Sequence, residues 1–191
     1  RIWATAEKQG KDKLLRDMIK ASNGMRKVGL DLRKKLFASV TSAFGGKLEM
    51  IICGGAALNQ DIIDTFEGIG ITILNGYGIT ECAPLISCNR NEYRKKGSVG
   101  VPIIGEQVKI ADPDENGEGE ICVKGPNVML GYYKDDEATL EAFDSDGYFR
   151  TGDYGKLTGD GILYITGRKK NLIVFKNGKK LSKIRAVYQE G

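Results

Sequence analysis

The ten residues from Asn75 to Pro84, NGYGITECAP, place an aromatic ring, a hydroxyl and a carboxylate close together, between glycines and directly after an apolar run. Those residue types in that order suit a nucleotide. A flat base can stack on Tyr77, a phosphate oxygen can accept from the Thr80 hydroxyl, and Glu81 can hold the divalent cation that accompanies the phosphates. Gly76 and Gly78 let the backbone approach such a ligand. The same residues also read as a glycine-rich turn between two elements, which is the commoner meaning of a short match. The chain has no histidine, so any acid-base chemistry must rest on carboxylates, lysine or the substrate. Cys53, Cys82, Cys88 and Cys122 form no Cys-x-x-Cys pair, which removes the usual zinc spacings and leaves them reduced and structural.

The elements that must hold this stretch can be read around it. From about Lys11 to Phe44, Leu14, Leu15, Met18, Ile19, Val28, Leu32, Leu36 and Val40 recur at helical spacing, and the spacing predicts two amphipathic helices interrupted near Asn23-Gly24. Their basic faces point to solvent, with contact to a membrane surface as the other use of a cationic amphipathic helix. Leu48 to Cys53 is a short apolar run ending in Gly54-Gly55, as a buried parallel strand entering a loop would look. Asn59 can cap a short helix reaching Gly68, and Ile71 to Leu74 makes a second strand. This strand-helix-strand unit delivers Gly54-Gly55-Ala56 and the Asn75 stretch to the carboxyl ends of strands, where ligands bind in open α/β sheets.

After Lys96 the texture changes to glycine-punctuated runs at Gln107 to Ile110, Glu120 to Lys124, Val128 to Tyr133 and Ile162 to Thr166, with a polar turn over Asp112 to Gly119 and a helix over Asp136 to Phe143. Leu172 to Phe175 and Lys179 to Leu181, joined by Asn177-Gly178, read as a β-hairpin. With 191 residues, 41% hydrophobic and 28% charged, the chain can bury a core. A formal charge of +4 without long single-sign blocks gives no sign of a nucleic-acid partner. No run approaches the roughly 20 apolar residues that span a bilayer, so there is no transmembrane segment to expect and a cytoplasmic location is the expectation.

Three further stretches join the first: GEICVKGPNVMLGYY from Gly119 to Tyr133, DGYFRTGD from Asp146 to Asp153 and GRKKNLIVFKNGKKLS from Gly167 to Ser182. In this order and spacing they resemble the AMP-forming acyl-CoA synthetases of the adenylate-forming superfamily. The lead-in with DLRKKLF and AFGGKLEM is similar to bacterial long-chain fatty-acid–CoA ligases in particular. The resemblance implies an α/β fold, with a parallel-sheet subdomain over 1–96 and a small β-rich, distorted barrel-like subdomain over 97–167. It further implies a hinge with the start of a C-terminal domain over 168–191. It implies ATP, Mg²⁺ and CoA, and a fatty acid that is converted to acyl-AMP and then passed to CoA.

Residue by residue, the resemblance gives Gly54, Gly55 and Ala56 the loop along the adenine, Asn75 the contact to the adenine amino group, and Tyr77 the stacking face. Gly76 and Gly78 belong to the same nucleotide motif. Thr80 matches the α-phosphate contact and Glu81 the magnesium ligand, the two residues assigned catalytic parts. Asp153 matches the ribose-binding aspartate and Arg168 the arginine that reaches ribose and phosphate; by themselves Gly152-Asp153 would read as a turn. Lys170 occupies the hinge position and Gly178 a loop lining the pantetheine channel.

Two parts of the family's equipment do not occur in this sequence: the Ser/Thr/Gly-rich phosphate loop and the lysine near the family's C-terminus. After Ser182 the family continues with Pro-Glu-Glu, whereas here Lys183-Ile184-Arg185 follows at once and resembles a later C-terminal-domain segment, so the expectation is that residues are missing between Ser182 and Lys183. The chain therefore reads as an internal fragment of a long-chain fatty-acid–CoA ligase, inactive alone. A fatty-acyl-AMP ligase or carrier-loading relative, and a non-catalytic adenylate-binding module, are the other readings.

Overall fold

The computed structural model describes residues 2–56, 58–90, 93–169, 172–174 and 180–182. The chain divides into two compact units, Arg1–Leu74 and Asn75–Gly191.

Unit 1 is helical, with one short strand region. Helices α1 (Ile2–Lys8), α2 (Asp12–Lys27), α3 (Arg33–Leu36) and α4 (Ala38–Thr41) precede strand β1 (Met50–Cys53), helix α5 (Gln60–Gly68) and the first part of β2 (Thr72–Gly78). Thr72 N donates to Glu49 O at 2.8 Å, laying the start of β2 beside β1. The core here is Leu15, Phe37, Ile69 and Ile71, with Trp3, Met18, Ile19, Ile51 and Phe66 packed against it. Burying those side chains is what holds short helices that would be marginal alone.

Local sequence ends α2 and α5. In α2 the expected break near Asn23-Gly24 does not occur: Gly24 sits inside a continuous helix. The stop comes five residues later. Gly29 takes a φ of 87°, its N–H donates to Arg26 O at 3.1 Å, and Leu30 N donates to Met25 O at 3.1 Å. This is the paired 5→2 and 6→1 bonding by which a left-handed glycine closes a helix. Gly70 ends α5 in the same way, with φ 97° and bonds from Gly70 N to Glu67 O and from Ile71 N to Phe66 O. At the other end of α5, Asn59 Oδ1 accepts from Asp61 N at 2.7 Å, the cap that the sequence announces. Strand β1 is covered on one face only, since Ile51 joins the core while Ile52 is 67% exposed.

Unit 2 begins within β2. Its second half pairs antiparallel with β3 (Leu85–Cys88), and β3 pairs antiparallel with β4 (Val101–Pro102). A second sheet contains β5 (Gln107–Ala111), β6 (Gly119–Lys124), β7 (Phe149–Leu157) and β8 (Leu163–Arg168), antiparallel throughout and ordered as they occur in the chain. Helix α6 (Asp136–Ala142) lies between β6 and β7, with Asp135 Oδ1 accepting from Ala138 N at its N-terminus. The sheet is open, with β5 and β8 as its edges, rather than closed into a barrel. Strands β9 (Leu172–Val174) and β10 (Lys180–Ser182) pair antiparallel, as the Asn177-Gly178 signal leads one to expect. The core of unit 2 is Tyr77, Cys82, Ile86, Ile121, Val123, Phe149 and Leu163.

One expectation fails here for a definable reason. Val128 to Tyr133 is apolar enough for a strand but forms none: its amides bond elsewhere, Met129 N to Glu81 O at 2.8 Å and Tyr132 N to Thr139 Oγ1 at 2.9 Å. Gly152-Asp153, which by themselves would read as a turn, lie within β7, the longest strand among the described residues. No helix among the described residues is long and apolar enough to cross a membrane.

Candidate functional site

The site is built where the second half of β2, the short helical turn Thr80–Cys82, the segment 127–132 and strands β7 and β8 provide side chains within unit 2. Its centre is Asp153. The carboxylate is almost sealed from solvent, with a side chain 5% exposed, and both of its oxygens are engaged. Tyr77 Oη donates to Asp153 Oδ2 at 2.9 Å, and Arg168 Nε donates to Oδ1 at 2.9 Å. The three residues come from three of the separate sequence stretches.

Each element places its residue for a local reason. On β7, Ile121 of β6 lies opposite three residues, Thr151, Gly152 and Asp153, because pairing jumps from Glu120–Tyr154 to Cys122–Arg150. This is a bulge, and bulges re-aim side chains. Gly152 supplies its φ of 70°, the Thr151 hydroxyl donates to Ile121 O at 2.8 Å, and Thr151 Oγ1 accepts from Asp153 N at 3.1 Å. Arg168 is the direct cross-strand neighbour of Asp153 in β8, so the ion pair is a product of register. Tyr77 is 8% exposed and packs in the core. Burial first, then the Asp153 charge, pushes its phenol far above the ordinary tyrosine range, which keeps it a hydrogen-bond donor at any physiological pH.

Beyond Tyr77 the chain turns sharply. Thr80 is exposed and Glu81 half-buried. Glu81 Oε1 accepts from Tyr132 Oη at 3.2 Å, Met129 N holds the Glu81 carbonyl, and Asn127 Nδ2 donates to Cys82 O at 2.8 Å and Leu85 O at 2.7 Å. The 127–132 segment thus clamps the turn from outside. Gly78 has a structural reason of its own: a Cβ there would overlap the Pro84 carbonyl oxygen and lie 2.7 Å from Pro84 C and 2.9 Å from Leu85 Cα. Gly76 pairs with Cys88, and Asn75 O accepts from Asn89 N at 2.8 Å. The Asn75 side chain makes no hydrogen bond among the described residues.

Among the described residues no group of three or more His, Cys, Asp or Glu side chains could cage a metal. A lone half-buried carboxylate with one oxygen uncommitted fits magnesium nonetheless, because that ion keeps most of its shell as water and phosphate oxygens. The four cysteines are free thiols. Burial, with Glu106 and Glu81 nearby, pushes Cys82 up to about 12, and burial with Glu120 nearby pushes Cys122 to about 11, so neither is a nucleophile.

Gly54, Gly55 and Ala56 follow β1 in unit 1 and are exposed; Gly55 has a φ of 82° with open space where a Cβ would lie. Lys170 and Gly178 lie outside the described residues, as does Lys183 beyond Ser182. Two groups were not singled out from sequence. Tyr132 lies in a quoted stretch but is marked only by distance to Glu81. Glu120, 5% exposed, accepts through one oxygen from both Arg150 Nη1 at 3.2 Å and Lys169 Nζ at 3.1 Å. The signal for it is a lone carboxylate at the start of an apolar strand run.

Comparison with known proteins now adds to this geometry. The family model described as AMP-binding enzyme matches residues 12–133. The long-chain-fatty-acid–CoA ligase FadD15 of Mycobacterium bovis is 38% identical over 161 residues, which is 81% of this chain and 26% of that protein. Long-chain-fatty-acid–CoA ligase 6 of Rattus norvegicus is 37% identical over 161 residues, 80% of this chain and 23% of that protein. The chain thus spans about a quarter of the length of these curated relatives. Among solved structures, ATP-bound MatB from Rhodopseudomonas palustris aligns with a TM-score of 0.64 at 28% identity, over 80% of this chain and 34% of that one. O-succinylbenzoate coenzyme A synthetase from Bacillus subtilis, in complex with ATP and magnesium ion, aligns with a TM-score of 0.62 at 28% identity, over 75% and 33%.

Proposed function

The chain belongs to the family of AMP-binding enzymes, and from that premise we propose that it is the nucleotide-holding part of a long-chain fatty-acid–CoA ligase. The observation that carries this reading is the convergence of Tyr77, Asp153 and Arg168 on one hydrogen-bonded cluster, with Thr80 and Glu81 on the adjoining turn. Relatives named as long-chain ligases support that substrate class.

In this proposal the face of Tyr77 and the Asn75 amide meet the adenine, with Gly54, Gly55 and Ala56 along the base; Asp153 and Arg168 meet the ribose. Thr80 donates to the α-phosphate, and Glu81 would hold a magnesium ion, which would offset the negative charge of the phosphates. A fatty-acid carboxylate attacks the α-phosphorus, pyrophosphate leaves, and the CoA thiol then displaces AMP from the acyl-adenylate. These residues position and stabilise charge, so the lack of histidine in this chain is no obstacle. Lys170 as the hinge of a C-terminal domain beginning at 168, Gly178 at the pantetheine channel, a β-rich subdomain over 97–167 and a cytoplasmic location belong to the same proposal.

ATP–pyrophosphate exchange by the full-length gene product, with fatty acids of graded length, tests it. Exchange that depends on acyl-chain length is the expected result; folded protein that exchanges with no fatty acid refutes it.

A further inference from the structure

Asp153 does not stand ready for a ligand by itself. An ionised carboxylate offers about four lone-pair positions, two on each oxygen. Here one position on Oδ2 is taken by Tyr77 Oη at 2.9 Å and one on Oδ1 by Arg168 Nε at 2.9 Å. One remains on each oxygen, which is the pattern two adjacent hydroxyl donors require.

The two clamps differ in kind. Arg168 reaches the carboxylate with a side chain 68% exposed, on a long flexible stem. Tyr77 is rigid by comparison: its ring is packed with Cys82 and Ile86 in the unit 2 core, and its strand is paired to β3 through Tyr77–Ser87. The Asp153 backbone is fixed from the other side by the bulge and the Thr151 hydroxyl. With its main chain and one oxygen both anchored, the carboxylate plane has a single orientation. Without the Tyr77 hydroxyl it can turn about its last torsion, a soft one for carboxylates.

We infer that the Tyr77 hydroxyl determines sugar selectivity in this site, by holding the Asp153 carboxylate so that its two remaining lone pairs address the vicinal diol of a ribonucleotide. Tyr77 therefore has two separable parts: the ring face, which Phe retains, and the hydroxyl, which Phe lacks. The inference rests on the proposal that Asp153 meets the ribose.

The test compares binding of ATP, 2′-deoxyATP and 3′-deoxyATP to the full-length protein by titration calorimetry at saturating Mg²⁺. Wild type is expected to prefer ATP over either deoxy analogue by about tenfold to a hundredfold, the effect of one hydrogen bond to a charged group. Tyr77→Phe is expected to bind ATP about tenfold more weakly yet bind the deoxy analogues nearly as well as wild type does, so the preference itself falls about tenfold. A purely structural role would weaken all three nucleotides alike and leave the ratio standing. Arg168→Met, with Tyr77 intact, is expected to weaken all three and, because Arg168 itself reaches the ribose, to lower the ratio without abolishing it, and it supplies a reading even if Tyr77→Phe does not fold. A wild type that prefers ATP together with an unchanged ratio in Tyr77→Phe overturns the inference alone, as does collapse of the ratio in Arg168→Met. A wild type indifferent to the missing hydroxyl overturns the ribose assignment of Asp153 beneath it.

Discussion

Replacing Gly78 with alanine tests why the nucleotide motif contains that glycine. The added carbon would overlap the Pro84 carbonyl oxygen and sit 2.7 Å from Pro84 C and 2.9 Å from Leu85 Cα. These are backbone atoms and cannot rotate away. Ordinary carbon–carbon contact needs about 3.5–4.0 Å, so one chain must retreat by roughly 1 Å. That retreat breaks into the Gly78–Leu85 and Tyr77–Ser87 pairing, beside a register shift already present between Tyr77 and Gly78. Losing two hydrogen bonds at about 1 kcal/mol each, with overpacking strain of about 1–2 kcal/mol, gives roughly 3–4 kcal/mol. Hydrogen exchange read by mass spectrometry on peptides covering residues 76–88 of the full-length protein should then speed up by roughly a hundredfold to a thousandfold, since about 1.4 kcal/mol is a factor of ten. Exchange in α2 and α5 should not change. Fatty-acid-dependent exchange of pyrophosphate should fall as well, because Thr80 and Glu81 ride on the displaced turn. Unchanged protection over 76–88 would refute the argument that strand approach, rather than ligand approach, demands the glycine.

Three other outcomes follow from the structure. Gly24→Ala, in a helix with open space where the new carbon would lie, should raise stability by roughly 0.5–1 kcal/mol in urea unfolding; a loss would mean α2 is not continuous there. Tyr132→Phe should raise the Mg²⁺ concentration for half-maximal exchange about fivefold, and weaken Mn²⁺ binding measured by paramagnetic resonance, with the thermal midpoint unmoved; an equal Mn²⁺ affinity would remove Tyr132 from the metal site proposed at Glu81. Glu106→Gln should raise the thermal midpoint at pH 7–8 and have no effect near pH 4. Neither Glu106 oxygen meets hydrogen-bond geometry with a described residue, and burial, opposed by the nearby Asn127 N–H, pushes its carboxyl up. The protonated form therefore fits the fold: nothing is lost below the unfolded value near 4.3, and stability declines as pH rises through the raised folded value. A midpoint gain that is the same at both pH values would contradict this.

What the sequence discloses depends on how far apart the responsible residues lie. The Asn59 cap, the α6 segment and the hairpin of β9 and β10 are written within a few residues, and periodicity finds them. Asn23-Gly24 misleads because turn residues are tolerated where the surrounding apolar positions, Leu15 and Met18 toward one side, still pack. Val128 to Tyr133 misleads because its hydrogen-bond partners, Glu81 and Thr139, are not strand neighbours. The bulge over Thr151 to Asp153 is invisible for a related reason: it exists only against Ile121 of another strand. The motifs name Tyr77 and Asp153 one at a time, and the bond between them appears only in three dimensions. Glu120 with its two cations escapes for the same reason, since Arg150 and Lys169 are distant in the chain.

The consecutive order of β5, β6, β7 and β8 also has a meaning for biosynthesis. A polypeptide leaving the ribosome never has to reserve a place in this sheet for a strand not yet translated; each new strand docks on the edge laid down just before it. Pairings of low sequence separation are the ones that form early. The bond from Tyr77 to Asp153 spans 76 residues and needs β7 in place. The pairing of β5 with β6 can therefore form before that bond exists, and the Asp153 carboxylate is set against a framework already in place.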